Sequence, residues 1–324
     1  MTELTDALVA EIHHLQEGWT RRHEEERLAE ILTSVTGLKL TELKNAINRR
    51  DDHHDLEELV FGDIDDESIR ERILTHIASA ASDLGRVGVK VLSDIDDTVF
   101  PVIHEQRYPR GHIPVPGVLA FLQALDDGPV DNPLSRGDLT FVTARPEVAF
   151  GLVERSSKDA LRKAGIASSS ILAGGLAHLH TKDAMADGKL ANISHYRRLF
   201  PEYGVVFVGD SGQGDVLVGQ RMRAAYPETV PAVVIHDVVA TPAPERARLA
   251  EAGVHVVDTY VGAATTAHRL GLVSAAGVAR VVAATEAELD GITWADAEQE
   301  RTTRALVAAD IAAAQPPSDA GASA

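Results

Sequence analysis

The sequence predicts an α/β fold, a parallel sheet with helices on both faces, preceded by an all-helical N-terminal region. Three observations predict it. From about Arg86, β-branched apolar runs alternate with helix-like segments, the pattern of βαβ units in a parallel sheet. Before that point, apolar residues recur at helical spacing. Three of the later runs end in reactive polar residues, where open parallel sheets bind ligands, beyond the carboxyl ends of the strands.

In chain order, Leu8, Ile12 and Leu15 share one helical stripe, and the polar stretch Arg21 to Glu26 leads into Leu28, Ile31 and Leu32. A further helix is expected from Thr41 to Arg50, with Leu40, Leu43, Ala46 and Ile47 on one side, broken by the acidic turn Asp51 to Asp55. Another begins near Asp66 and carries Ile69, Ile73, Leu74 and Ile77. The acidic run Gly62 to Glu67 leads straight into that helix with no strand before it, so Asp65 or Asp66 is expected to cap it.

Strands are expected at Val87–Ile95, Leu139–Thr143, Val205–Val208, Val230–Val239 and Val254–Tyr260, and helices at Val118–Leu125, Pro146–Ala164 and Pro244–Ala252. From about Ser274 the chain is alanine-rich and helix-prone, and Gln315 to Ala324 has the composition of a disordered tail. These shifts divide the chain into a helical region 1–85, an α/β catalytic region 86–275 and a C-terminal segment 276–324.

With no cysteine in 324 residues, disulfides, thiolate metal sites and thiol catalysis are excluded, and a reducing, cytoplasmic setting is expected. The N-terminus lacks a basic segment followed by an apolar one, so no secretory signal is expected. No uninterrupted apolar stretch reaches membrane-spanning length. A net charge of -18 argues against general affinity for nucleic acid or anionic membranes, while leaving local peripheral membrane contact open.

The first run ends in Asp94-Ile-Asp96-Asp97-Thr98, the second in Thr143-Ala-Arg145-Pro, and the third in Gly209-Asp210-Ser-Gly-Gln-Gly-Asp215, with Lys189 on a helix before it. Oxygen ligands from two such turns suit a hard divalent cation, here Mg²⁺, which offsets the repulsion between a phosphate and a carboxylate nucleophile. Asp94 is the candidate nucleophile. Asp96 is placed to protonate the leaving oxygen and then to deprotonate water. Thr143 and Lys189 would donate to the phosphoryl oxygens, and Asp210 would complete the metal site.

Asp94-x-Asp96-x-Thr98, Thr143, Lys189 and Gly209-Asp210-x4-Asp215 resemble, in order and spacing, the four motifs of the haloacid dehalogenase superfamily. The resemblance implies a Rossmann-like sheet, metal ligands Asp94, Asp96, Asp210 and Asp215, substrate contact by Thr98, and a phosphatase, since members with an acid at position 96 are typically phosphatases. A closer resemblance is to the phosphatidate phosphatase catalytic domain of the actin-patch-associated type. It rests on Ser93 to Thr98, Phe200-Pro201, Gly209 to Asp215, Val234 to Val238 and Thr259 to Ala264. It implies a lipid phosphate substrate and selects Lys189 over Lys182. The family's second motif is Ser-x-Ser-Pro-like, where this chain has Thr143-Ala-Arg145-Pro146. A soluble metabolite or a phosphoprotein is the alternative substrate, and a non-catalytic phosphate-binding module the alternative role.

Only 46 positions separate Thr143 from Lys189, and the loop from Thr98 to Pro116 is short, so a minimal cap and an open site are expected. Arg145 is placed either to hold a second phosphate or headgroup or to form a surface ion pair. His53 and His54 read as solvated turn residues, His178 and His180 as loop residues, and Trp19 and Trp294 as packing residues.

Overall fold

A computed structural model of the chain describes residues 3–48, 55–110, 113–130, 132, 134, 139–146, 169–174 and 182–314. His53, His54, His178, His180 and the tail from Gln315 lie outside these residues. So does the helix expected after Pro146, which itself ends a strand.

The elements begin with α1 (Glu3–Leu15), α2 (Arg22–Thr33), α3 (Gly37–Asn48), a π-helical segment (Glu58–Asp63), α4 (Glu67–Ser82) and β1 (Gly88–Ser93). They continue with α5 (Val118–Asp127), β2 (Leu139–Pro146), β3 (Ser169–Gly174), α6 (Lys182–Leu199) and β4 (Tyr203–Asp210). The last are α7 (Asp215–Ala225), β5 (Val233–His236), α8 (Ala243–Glu251), β6 (Val254–Val257), α9 (Tyr260–Arg269), α10 (Ala275–Asp290) and α11 (Ala297–Ala314).

The chain is therefore α/β, with a helical N-terminal region ahead of a six-stranded sheet in the order β3-β2-β1-β4-β5-β6. The pairs β1–β2, β2–β3, β4–β5 and β5–β6 are parallel. Along β1 and β4, Val87 N–H donates to the Glu202 carbonyl at 3.0 Å and Asp94 N–H to the Val208 carbonyl at 2.9 Å, so these strands also advance together. The winding direction reverses between β1 and β4, the switch point at which such sheets bind ligands.

Contacts cluster into two compact units, and β4 contributes to both. The first comprises Met1–Ser93, Asn132–Val206 and Ala225–Pro231. Asp66 caps α4 as expected: its carboxylate accepts from Ser68 N–H at 2.9 Å and Ile69 N–H at 3.3 Å. The predicted stripe Ile69, Ile73, Leu74 and Ile77 is buried. Trp19 departs from the expectation of packing, being 89% exposed. It lies in the turn between α1 and α2, where neither helix face covers it.

In the same unit α3 is held by buried polar contacts. Lys44 Nζ donates to the Leu199 carbonyl at 2.7 Å and to Glu202 Oε2 at 2.9 Å, while Thr41 Oγ1 donates to Glu202 Oε1 at 2.8 Å. Asn45 Nδ2 donates to Tyr203 Oη at 2.8 Å, and Asn45 Oδ1 accepts from Lys90 Nζ at 2.8 Å. Burial lowers Lys44 to about 8, against the pull of Glu202. α3 therefore grips the residues entering β4, at the end of that strand opposite Asp210.

The second unit comprises Asp94–Asp131, Phe207–Ala224 and Ala232–Ala324. Here the run expected as a strand to Tyr260 stops at Val257. Thr259 Oγ1 instead accepts from Gly262 N–H at 3.1 Å and starts α9, with Tyr260 as its first residue. Ser274 caps α10 in the same way, its Oγ accepting from Gly277 N–H at 3.0 Å. Trp294 packs as expected, its ring 6.3 Å from that of Tyr108.

Candidate active site

Asp94 is the first residue after β1, and its N–H bond to Val208 fixes it beside the last residues of β4. The chain then turns. Val99 N–H returns to the Ile95 carbonyl at 2.8 Å, and Asp97 takes a left-handed φ of 56°, which a short polar side chain tolerates. Asp210 ends β4 and Asp215 opens α7, where the positive end of the helix dipole favours a carboxylate.

One carboxylate oxygen from each of Asp94, Asp210 and Asp215 lies within 4.8 Å of the others. The three residues are 4%, 0% and 0% exposed. Buried carboxylates this close repel one another strongly unless a cation or proton compensates them. An oxygen-only donor set suits a hard divalent ion, so the cluster can bind a metal.

The neighbouring backbone is shaped around these groups. A Cβ on Gly209 would lie 2.5 Å from Asp215 Oδ2, and one on Gly212 would lie 2.6 Å from His104 Nδ1. Asp210 Oδ1 accepts from Gly212 N–H at 2.6 Å and Gln213 N–H at 3.1 Å. Asp215 Oδ2 accepts from Asp210 N–H at 3.3 Å.

Asp94, Asp96, Thr98, Asp210 and Asp215 all fall in the second unit. Asp96 is half-buried and, among the described residues, belongs to neither group of close metal-binding side chains. Thr98 is buried, and its Oγ1 has no hydrogen-bond partner among the described residues, which leaves a donor for an incoming ligand. The Thr98 carbonyl accepts from Tyr260 Oη at 2.7 Å. Thr143 and Arg145 lie on β2, their side chains outside the described set, and Lys189 lies on α6, buried at 4% exposure; these three belong to the first unit.

Sequence reasoning passed over several residues that build this site. Asp97 is fully buried, and its carboxylate accepts N–H bonds from Val102, Ile103, His104 and Glu105 at 2.8, 2.8, 2.7 and 3.3 Å. Burial pushes its carboxyl up, but these donors outweigh burial and hold it below the usual range. Asp97, His104 and Asp210 form a second close group. Because Asp97 is occupied by four backbone donors, its part is to order the loop.

Farther along that loop, His236 Nε2 lies 2.7 Å from Glu105 Oε2. Arg107 donates to Glu105 and to the carbonyls of Asp237 at 2.7 Å and Asp258 at 2.6 Å. Burial raises the Glu105 carboxyl, but the hydrogen bonds from His236 and Arg107 prevail and bring it down to about 2. Burial holds the His236 imidazole below its usual range, and its Nε2 also lies 2.9 Å from Arg107 Nη2. Asp237 in turn accepts from Ser211 Oγ at 2.8 Å and from Arg246, which fixes the residue next to Asp210. Only Asp97, inside the first motif, and His236-Asp237, inside the Val234 to Val238 run, carried a signal in the sequence.

No curated protein and no solved structure matches the chain. What it is similar to is a family: residues 89–237, which hold every carboxylate of the cluster, match the family model for phosphatidate phosphatase APP1, catalytic domain.

Proposed function

We propose that this chain is a Mg²⁺-dependent phosphomonoesterase acting on phosphatidate or a closely related lipid phosphate through a phosphoaspartate on Asp94. The observation that carries the reading is the buried trio Asp94, Asp210 and Asp215, one oxygen of each within 4.8 Å of the others, inside the segment that matches a phosphatidate phosphatase family. Similarity to that family supports a phosphatase and favours a lipid phosphate as its substrate.

Asp94 attacks phosphorus, and the bond from phosphorus to the glycerol oxygen breaks. Asp96 gives its proton to that leaving oxygen, then takes one from the water that cleaves the Asp94–phosphorus ester, releasing phosphate and restoring both carboxyls. Mg²⁺ at Asp94, Asp210 and Asp215, with Asp96 as the further ligand the motif implies, would offset the charge on the phosphoryl oxygens. Thr98 offers its buried hydroxyl to the same oxygens. Thr143 and Lys189 carry the donor roles that the motif order assigns them, and Arg145 is the cation for a headgroup.

Phosphate release from phosphatidate vesicles and from a panel of soluble phosphate esters tests this, with Mg²⁺ and after chelation. The wild type is expected to prefer phosphatidate, to stop on chelation, and to be reduced to background by Asp94→Asn. Equal turnover by Asp94→Asn would overturn the catalytic reading. Preference for a sugar or nucleotide phosphate would overturn the lipid reading alone.

A further inference from the structure

The segment after the Asp94 turn exposes several aliphatic side chains to water. Val102 is 37% exposed, Ile103 46% and Ile113 58%, and Val239, in the loop after β5, is 50% exposed. All four belong to the second unit, as do Asp94 and Asp210. Both loops lie beyond the carboxyl ends of strands, the end at which Asp94 and Asp210 are found.

These side chains are held outward by a pinned backbone. Asp97 ties down residues 102–105 through four N–H bonds. Arg107 binds the carbonyl of Asp237, two residues before Val239. Thr303 Oγ1 donates to the Arg107 carbonyl at 3.0 Å, Gln299 Nε2 to the Gln106 carbonyl at 2.9 Å, and Val115 N–H to the Val99 carbonyl at 2.8 Å. With both loops anchored, these aliphatic side chains stay exposed to water unless something apolar covers them. Arg110 stands exposed beside them, donating to the Ile103 carbonyl at 3.1 Å.

We infer that Val102, Ile103, Ile113 and Val239 form a docking rim that inserts into the surface of a phospholipid bilayer and brings the mouth beyond Asp94 to the headgroup level, with Arg110 against lipid phosphate. The inference rests on the lipid-phosphate reading above, because a substrate held in a bilayer supplies the apolar occupant that the rim lacks. The chain's net charge of -18 opposes long-range attraction to anionic lipid. The rim therefore binds through apolar burial, and adding salt does not release it.

Co-sedimentation of the full chain with phosphatidylcholine vesicles, with and without phosphatidate, tests this, compared with the triple variant Ile103→Ser, Ile113→Ser, Val239→Ser. Each buried isoleucine contributes roughly a factor of ten to the partition, so the variant should bind at least about a hundredfold more weakly. Its turnover of a soluble aryl phosphate should stay within about twofold of wild type, which also shows that it folds. Undiminished pelleting of the variant overturns the proposal. So does a wild type that ignores vesicles but self-associates in a way the variant abolishes, which would make the rim an interface between copies. A wild type that pellets through this rim yet hydrolyses only soluble esters would support docking and sink the substrate assignment separately.

Discussion

Gly209 and Asp215 occupy one another's space: a methyl group on Gly209 would fall 2.5 Å from Asp215 Oδ2 and 2.6 Å from its Cβ. Asp215 can reach the cluster only because position 209 has no side chain. Gly209→Ala should push the carboxylate away and weaken metal binding about 10- to 100-fold, as losses of supporting structure around metal ligands do. Gly204→Ala is the control within the same strand, since its Cβ would meet only ordinary contacts from 3.5 Å. Titration of phosphatase activity with Mg²⁺ checks both. Equal Mg²⁺ requirements would dismiss the steric argument.

Glu105 gives the protein an acid-sensitive latch. Its carboxyl titrates at about 2 in the fold against an ordinary 4.5. Its ionised form therefore stabilises the native state above about pH 4.5, and the contribution, about 3 kcal/mol, disappears as pH falls from 4.5 towards 2. Urea unfolding at pH 5 and pH 3 should show wild type losing more stability than Glu105→Gln. Parallel losses in the two proteins would mean that the latch does not set the acid limit.

Asp97 should be separable from catalysis by the form of its defect. Asp97→Ala leaves the N–H groups of residues 102–105 without their shared acceptor, a loss of about 3 kcal/mol, and puts a β-carbon without a polar tip at a φ of 56°. Limited proteolysis should then cut between Thr98 and Pro116 faster than it does in the wild type. Asp97→Asn, which keeps an acceptor and tolerates that backbone, should be cut more slowly. A cleavage pattern identical to wild type for the alanine variant would remove Asp97 from the role of loop anchor.

The α3 contacts give a double-variant prediction. Lys44→Met leaves the Glu202 carboxylate buried with Thr41 as its one remaining partner from α3, which should cost about 3–5 kcal/mol. Adding Glu202→Leu removes the stranded charge and should recover part of that loss, because well-packed apolar replacements of buried pairs are often neutral. Thermal unfolding of the two variants reads this directly. A double variant less stable than the single one would show that the pair itself, and not the isolated charge, governs docking.

The strands that place Asp94 and Asp210 were legible because their interior positions, Val91-Leu92 and Val205 to Val208, are uniformly apolar and end abruptly in carboxylates. β3 was not. Among the described residues, Ser169-Ser-Ile-Leu-Ala-Gly174 pairs on one side only, with β2, and an edge strand can form from backbone pairing without the β-branched run that betrays a central one. Tyr260 was misplaced because Thr259 looks like strand material until its hydroxyl is seen capping α9. The Glu105–His236 pair was invisible for another reason: its partners are 131 positions apart, and no local period links a loop glutamate to the end of β5. The string from Asp94 to Thr98 is thus written locally, whereas its supports are written in pairings that only folding discloses.

The grip of α3 on Glu202 also bears on how such a chain can be inherited. Thr41 and Lys44 supply the partners of a carboxylate that belongs to the α/β region, and Asn45 receives the ammonium of Lys90 from β1. A recombination event that delivered the α/β region without its helical leader would strand Glu202 in an apolar interior. Exchange of this segment between genes is therefore expected to succeed only when both parts travel together, or when residues 90 and 202 change with the junction.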